Sequence, residues 1–201
     1  MLQLLSSMLT TNKNFNEIIE TISELRLYKN NIIIVIDGMC ASGKTTLADY
    51  LKSILGGRVI HMDDFFLPLN LRTKDRLSEI GGNIDYDRFL SSVVYHVDGE
   101  IKYRPYLCSK NEFGDEIDLP NTGITIIEGA YALHPKFGEY YDYAIFMKTS
   151  SSTQLHRIEI RNGKDKVDVF KNKWIKLENL YFTSFNIEKR TNIIIDTTED
   201  N

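Results

Sequence analysis

Two rhythms of apolar and polar positions alternate along this chain. Phe15, Ile18, Ile19, Ile22 and Leu25 recur at steps of three and four, which predicts a helical segment over about residues 1–30, packed outside a sheet. Short β-branched runs then read as buried strands: Asn31 to Asp37, Arg58 to Met62, Gly123 to Ile127, Tyr143 to Met147 and Asn192 to Asp196. Helical spacing separates them, from Lys44 to about Ile54, Asp87 to Val97, Ser152 to Arg161 and Val167 to Phe182. Gly56-Gly57 closes the first of these helices. Residues 67–86, with Pro68 and Gly81-Gly82, read mostly as loop, and 98–121 as a polar hairpin or loop. Strands alternating with helices predict an α/β fold of three layers, with a central parallel sheet and helices on both faces. In such a sheet functional groups gather past the carboxyl ends of the strands.

Length and composition narrow this picture without changing it. A chain of 201 residues fits one domain over 1–201 with a sizeable core. A net charge of −4 with no basic tail predicts no nucleic-acid partner. No apolar run reaches membrane-spanning length, and Met1-Leu2-Gln3-Leu4-Leu5 lacks the basic residues and cleavage site of a signal peptide. A cytoplasmic protein without a membrane partner is expected; a homo-oligomer is left open. Cys40 and Cys108 form no metal or disulfide pattern.

The first strand runs into Gly38-Met39-Cys40-Ala41-Ser42-Gly43-Lys44-Thr45-Thr46, which contains a complete G-x-x-x-x-G-K-[ST] phosphate-binding loop in a strand–loop–helix setting. There, backbone amides and the helix N-terminus converge on an anion. Residues Gly38 to Thr46 are the expected nucleoside triphosphate cradle. Lys44 is placed to reach the β- and γ-phosphates and Thr45 to ligate Mg²⁺. Asp63 and Asp64 follow the second strand, and a phosphoryl acceptor needs a carboxylate to orient its hydroxyl and take the proton. Asp63 is the expected base and Asp64 the alternative. Glu128 ends the Ile-rich strand, where an acid serves Mg²⁺; Thr45, Glu128 and Asp63 are the candidate metal ligands. Arg157 and Arg161, four apart on one helix face within a lid region of about 152–182, are the candidates to stabilise the transferring group. Gly163 is a hinge candidate.

Taken together, the phosphate loop, His61-Met62-Asp63-Asp64-Phe65-Phe66, Asn83-Ile84-Asp85-Tyr86-Asp87-Arg88-Phe89 and Ile127-Glu128-Gly129-Ala130-Tyr131 resemble the uridine kinase-like P-loop kinases, with phosphoribulokinase and pantothenate kinase as more distant kin. The resemblance implies ATP- and Mg²⁺-dependent transfer to the 5′-hydroxyl of a nucleoside, with Asp63 as catalytic aspartate. It further implies that Asp85, Arg104 and Tyr106 surround the substrate. Two other readings stay open. One is a regulatory protein that binds nucleotide without transfer. The other is a nucleoside monophosphate kinase drawing a second phosphate site from Arg72, Arg76, Arg88 and Arg104.

Overall fold

The computed structural model describes residues 13–198, so residues 1–12 of the expected N-terminal helical segment lie outside it. The rest of that segment forms helix α1 (Lys13–Leu25). Strand β1 (Ile32–Gly38) is buried along its whole length, as a β-branched run between two covered faces should be. The other strands of the main sheet are β2 (Arg58–His61), β3 (Ile124–Glu128), β4 (Tyr143–Lys148) and β5 (Ile193–Asp196). All pair in parallel, in the order β2-β3-β1-β4-β5.

Alternation along β1 divides the core in two. Ile32, Ile34 and Ile36 face Phe15, Ile18 and Ile22 of α1, together with Leu47 and Leu51 of α2 (Lys44–Leu55). Ile33 and Val35 point the other way, into a cluster with Phe65, Phe89, Tyr181 and Phe182. The three-layer expectation therefore holds in the structure, with helices on both faces of one parallel sheet.

Between the strands the chain departs from the expected boundaries for local reasons. Strand β2 stops at His61, and Met62–Phe65 turn as a 3₁₀ helix. Residues 67–86 include a short helix, α3 (Lys74–Ser78), capped by the Thr73 hydroxyl on the Arg76 amide. Helix α4 (Tyr86–Ser92) ends five residues before Val97, where the β-branched pair Val93-Val94 gives way to a 3₁₀ turn. The 98–121 stretch makes two antiparallel pairs, Ile101–Tyr103 with Ile117–Leu119 and Tyr106–Leu107 with Glu112–Phe113. Arg58 fastens this unit to the sheet: its buried guanidinium donates to Thr125 Oγ1 and to the carbonyls of Val97, Gly99 and Leu119. After β4 come α5 (Ser151–Asn162), α6 (Lys164–Val169), a π-helical stretch at Phe170–Trp174 and α7 (Ile175–Ser184). Among the described residues no helix is long and apolar enough to cross a membrane.

Candidate active site

Strand register brings the predicted groups to one level. Ile36 of β1 lies opposite Glu128 of β3, Glu128 lies opposite His61 of β2, and Gly38 lies opposite Met147 of β4. The chain leaves β1 at Gly38 with φ +138°, pressed so close to β4 that a Cβ there would stand 2.1 Å from the Met147 carbonyl oxygen. Only glycine fits this exit. Ala41 (φ +58°) and Gly43 (φ +95°) then curl the loop into the start of α2. The Lys44 ammonium, on a residue only 9% exposed, donates to the carbonyls of Gly38 and Met39 at 2.9 Å each. No carboxylate is within ion-pair distance of it among the described residues. A buried cation held by carbonyls, at a helix N-terminus, suits the phosphates of a nucleoside triphosphate.

Beside it, the Thr45 hydroxyl donates to Glu128 Oε1 at 3.0 Å, and His61 Nδ1 meets the same oxygen at 2.6 Å. The hydrogen bond to Glu128 raises the His61 pKa, against the opposing effect of burial. Hard oxygen donors from Thr45 and Glu128, with Asp63 nearby, fit Mg²⁺, a cation that keeps several waters and binds few protein ligands. No cage of three or more His, Cys, Asp or Glu groups occurs among the described residues. His61 was not anticipated as a neighbour of Glu128; its register opposite that acid is a property of the sheet pairing.

Asp63 and Asp64 part company on the 3₁₀ turn. Asp63 lines a cleft of about 700 Å³ with Lys44, Thr45 and Glu128, and its carboxylate makes no hydrogen bond among the described residues. It is open to solvent yet closely surrounded by protein. Desolvation raises its pKa, Lys44 opposes this, Glu128 adds to it and Arg161 opposes it. Asp64 instead accepts the Tyr103 hydroxyl at 2.9 Å and does not line the cleft.

The three groups expected around the acceptor sit elsewhere. Asp85 caps α4, accepting the Arg88 amide and pairing with the Arg88 guanidinium at 3.2 Å. Arg104 donates to the carbonyls of Gly114 and Phe113. Tyr106 bonds the Asn111 side chain and accepts the Leu69 amide at 3.2 Å. None of the three lines the cleft. The cleft is also lined by Phe66, Arg72, Asn83, Tyr131, Trp174 and Glu178. A bridge between Phe66 and Ile84, with the Leu67 amide on the Asn83 carbonyl, draws Asn83 to the wall.

Arg157 and Arg161 both line the cleft, in different ways. Arg157 is buried and braces the loop, donating to the Ala41 carbonyl and to Thr197 Oγ1 and O. Arg161 is exposed, and its Nε bonds Asn162 beside it. Cys40 sits within the loop, where burial first and Glu178 second push its thiol up to about 12, so it is no nucleophile at neutral pH. Gly163 (φ +90°) separates α5 from α6.

Comparison with known proteins bears on this arrangement. No protein-family model matches the chain. Uridine-cytidine kinase D of Dictyostelium discoideum is 28% identical over 117 residues, 58% of this chain. The match spans 23% of that relative's length. The fold is shared with a possible uridine kinase from Bacillus stearothermophilus (TM-score 0.65, 16% identity, 91% of this chain and all of that one). It is also shared with phosphoribulokinase from Rhodobacter spheroides (TM-score 0.54, 16% identity, 84% of this chain and 71% of that one). The chain is thus similar in part of its sequence to a uridine-cytidine kinase, and it shares its fold with a possible uridine kinase and with phosphoribulokinase.

Proposed function

We propose that this chain, a P-loop kinase of the uridine kinase-like type, transfers the γ-phosphoryl group of ATP to a hydroxyl of a small neutral molecule, best the 5′-hydroxyl of a nucleoside such as uridine or cytidine. One observation carries the reading: an unbonded carboxylate, Asp63, opens into the same cleft as Lys44, Thr45 and Glu128. The loop amides and Lys44 hold the phosphates, and Arg161 draws charge off the transferring group. Thr45 and Glu128 would hold Mg²⁺, which when bound neutralises charge on the β- and γ-phosphate oxygens. Asp63 orients the acceptor hydroxyl and takes its proton as the oxygen bonds to phosphorus and the bond to the ADP oxygen breaks. Desolvation of Asp63 makes it a stronger base than a free aspartate.

Neutrality of the acceptor rests on where the arginines go. A monophosphate acceptor needs a second cationic cradle. Arg76 is bound to Glu79 and the Ile84 carbonyl, Arg88 to Asp85 and three carbonyls, and Arg104 to two carbonyls. Arg72 alone of the four lines the cleft, with its Nε committed to the Leu67 carbonyl at 2.6 Å. The test is a panel of nucleosides, nucleoside monophosphates, pantothenate and sugar phosphates, read by acceptor-dependent ADP formation. Turnover restricted to neutral nucleosides is expected. Tight ATP binding without turnover on any acceptor would point to a regulatory nucleotide-binding protein.

A further inference from the structure

Past the end of β3 the chain holds a tyrosine in a conformation that bulky residues avoid. Tyr131 has φ +75°, in the left-handed region, two residues after Gly129, whose own turn runs so close to Met62 that a Cβ would come within 2.7 Å of it. Strain of this kind persists where function requires it. The Tyr131 ring lies against Tyr181, centroids 4.7 Å apart, and the residue is 3% exposed. Its hydroxyl, though buried, has no hydrogen-bond partner among the described residues. Phenylalanine would supply the same packing without an orphaned polar atom, so packing does not account for the phenol.

Next to it stands a second group that packing does not account for. Glu178 follows Phe170 and Trp174 at steps of four along one helical face, and all three line the cleft. Its Oε2 accepts the Cys40 amide of the phosphate loop at 2.9 Å, while the residue is 8% exposed. A carboxylate can accept about four hydrogen bonds, and here the protein offers that amide and the neighbouring Cys40 thiol. Tyr131 and Glu178 line the same cleft, and Tyr181, on which the Tyr131 ring packs, follows Glu178 by three residues in α7. An anion so near a phosphate cradle weakens the site unless it has a partner of its own.

We propose that Tyr131 and Glu178 form an acceptor-binding pair that holds hydroxyls of a neutral polyhydroxylated acceptor, with Glu178 also turning away acceptors that carry a phosphate. This deepens the kinase reading and rests on it. Asp63 keeps the reacting hydroxyl, and the pair holds other hydroxyls of the same molecule. A carboxylate beside the acceptor repels a second anion, which is how a site selects by exclusion.

The test uses the full chain and its Y131F and E178Q variants, with uridine and UMP as acceptors and ATP binding measured separately. Both variants should raise the KM for uridine at least tenfold, while Y131F leaves the ATP dissociation constant within twofold. E178Q should also shrink the uridine-over-UMP preference in kcat/KM by tenfold or more. A uridine KM within twofold of wild type in both variants, or a rise in Y131F matched by equal loss of ATP binding, overturns the pair. If E178Q fails to fold, the KM of Y131F decides. Should wild type use another neutral acceptor from the panel, that acceptor replaces uridine. No transfer to any acceptor sinks the kinase reading, and the pair with it.

Discussion

His134 shows how a residue's surroundings fix its charge. It is buried against Tyr86 and Phe137; Nε2 faces the Ile80 carbonyl at 3.1 Å and Nδ1 accepts the Lys136 amide at 3.2 Å. Burial pushes its pKa down to about 4. A depressed pKa means the folded state resists the proton, so this stability is full above the free-histidine value of about 6.5 and is lost as pH falls towards 4. H134Q should therefore lose its disadvantage on acidification: the Tm gap to wild type is expected to narrow between pH 7 and pH 4. A gap that stays constant contradicts a buried neutral ring. At this scale the donor half of the site was legible, because Lys44, Thr45, Asp63 and Glu128 are each tied to a strand end. Asp85 was misleading. An aspartate three residues before Arg88 at a helix start is also a cap, and the cap is what the fold makes of it.

Elements carry the second lesson. The ladder Phe170, Trp174, Glu178 stands in the sequence at helical spacing, but only the placement of the π-helical stretch and α7 shows that it lines the cleft. Spacing gives the shared face; only tertiary packing says what that face meets. The exit of β1 was predictable in kind, since a phosphate loop opens on glycine. Its severity depends on β4, a non-local neighbour. G38A should destabilise the fold on the order of 3 kcal/mol through clash and unfavourable φ, measured as a shift in the urea midpoint at unchanged slope. A midpoint equal to wild type would mean that β1 and β4 do not approach as described.

For the whole molecule, the alternation of strands and helices foretold a parallel sheet but not its order. Placing β3 between β2 and β1 is what sets His61, Glu128 and Thr45 together, and pairing across such sequence distances leaves no local trace. The cleft is lined by the sheet ends and by residues of α5 and α7, so a nucleotide bound there would link both. ATP with Mg²⁺ at a hundred times its dissociation constant should stabilise the chain by about 2.7 kcal/mol, seen as a rise in Tm that K44A abolishes. An equal rise in K44A would place the nucleotide somewhere other than the phosphate loop.

The measurement that bears most directly on the account is transfer of the γ-phosphoryl group from ATP to uridine or cytidine by wild type and by D63N, with the product identified as the 5′-monophosphate. Loss of the base should lower kcat about 10²- to 10⁴-fold, with ATP affinity within twofold of wild type. Wild-type rates in D63N would contradict the role given to Asp63, and with it the proposal that this cleft is the active site of a kinase.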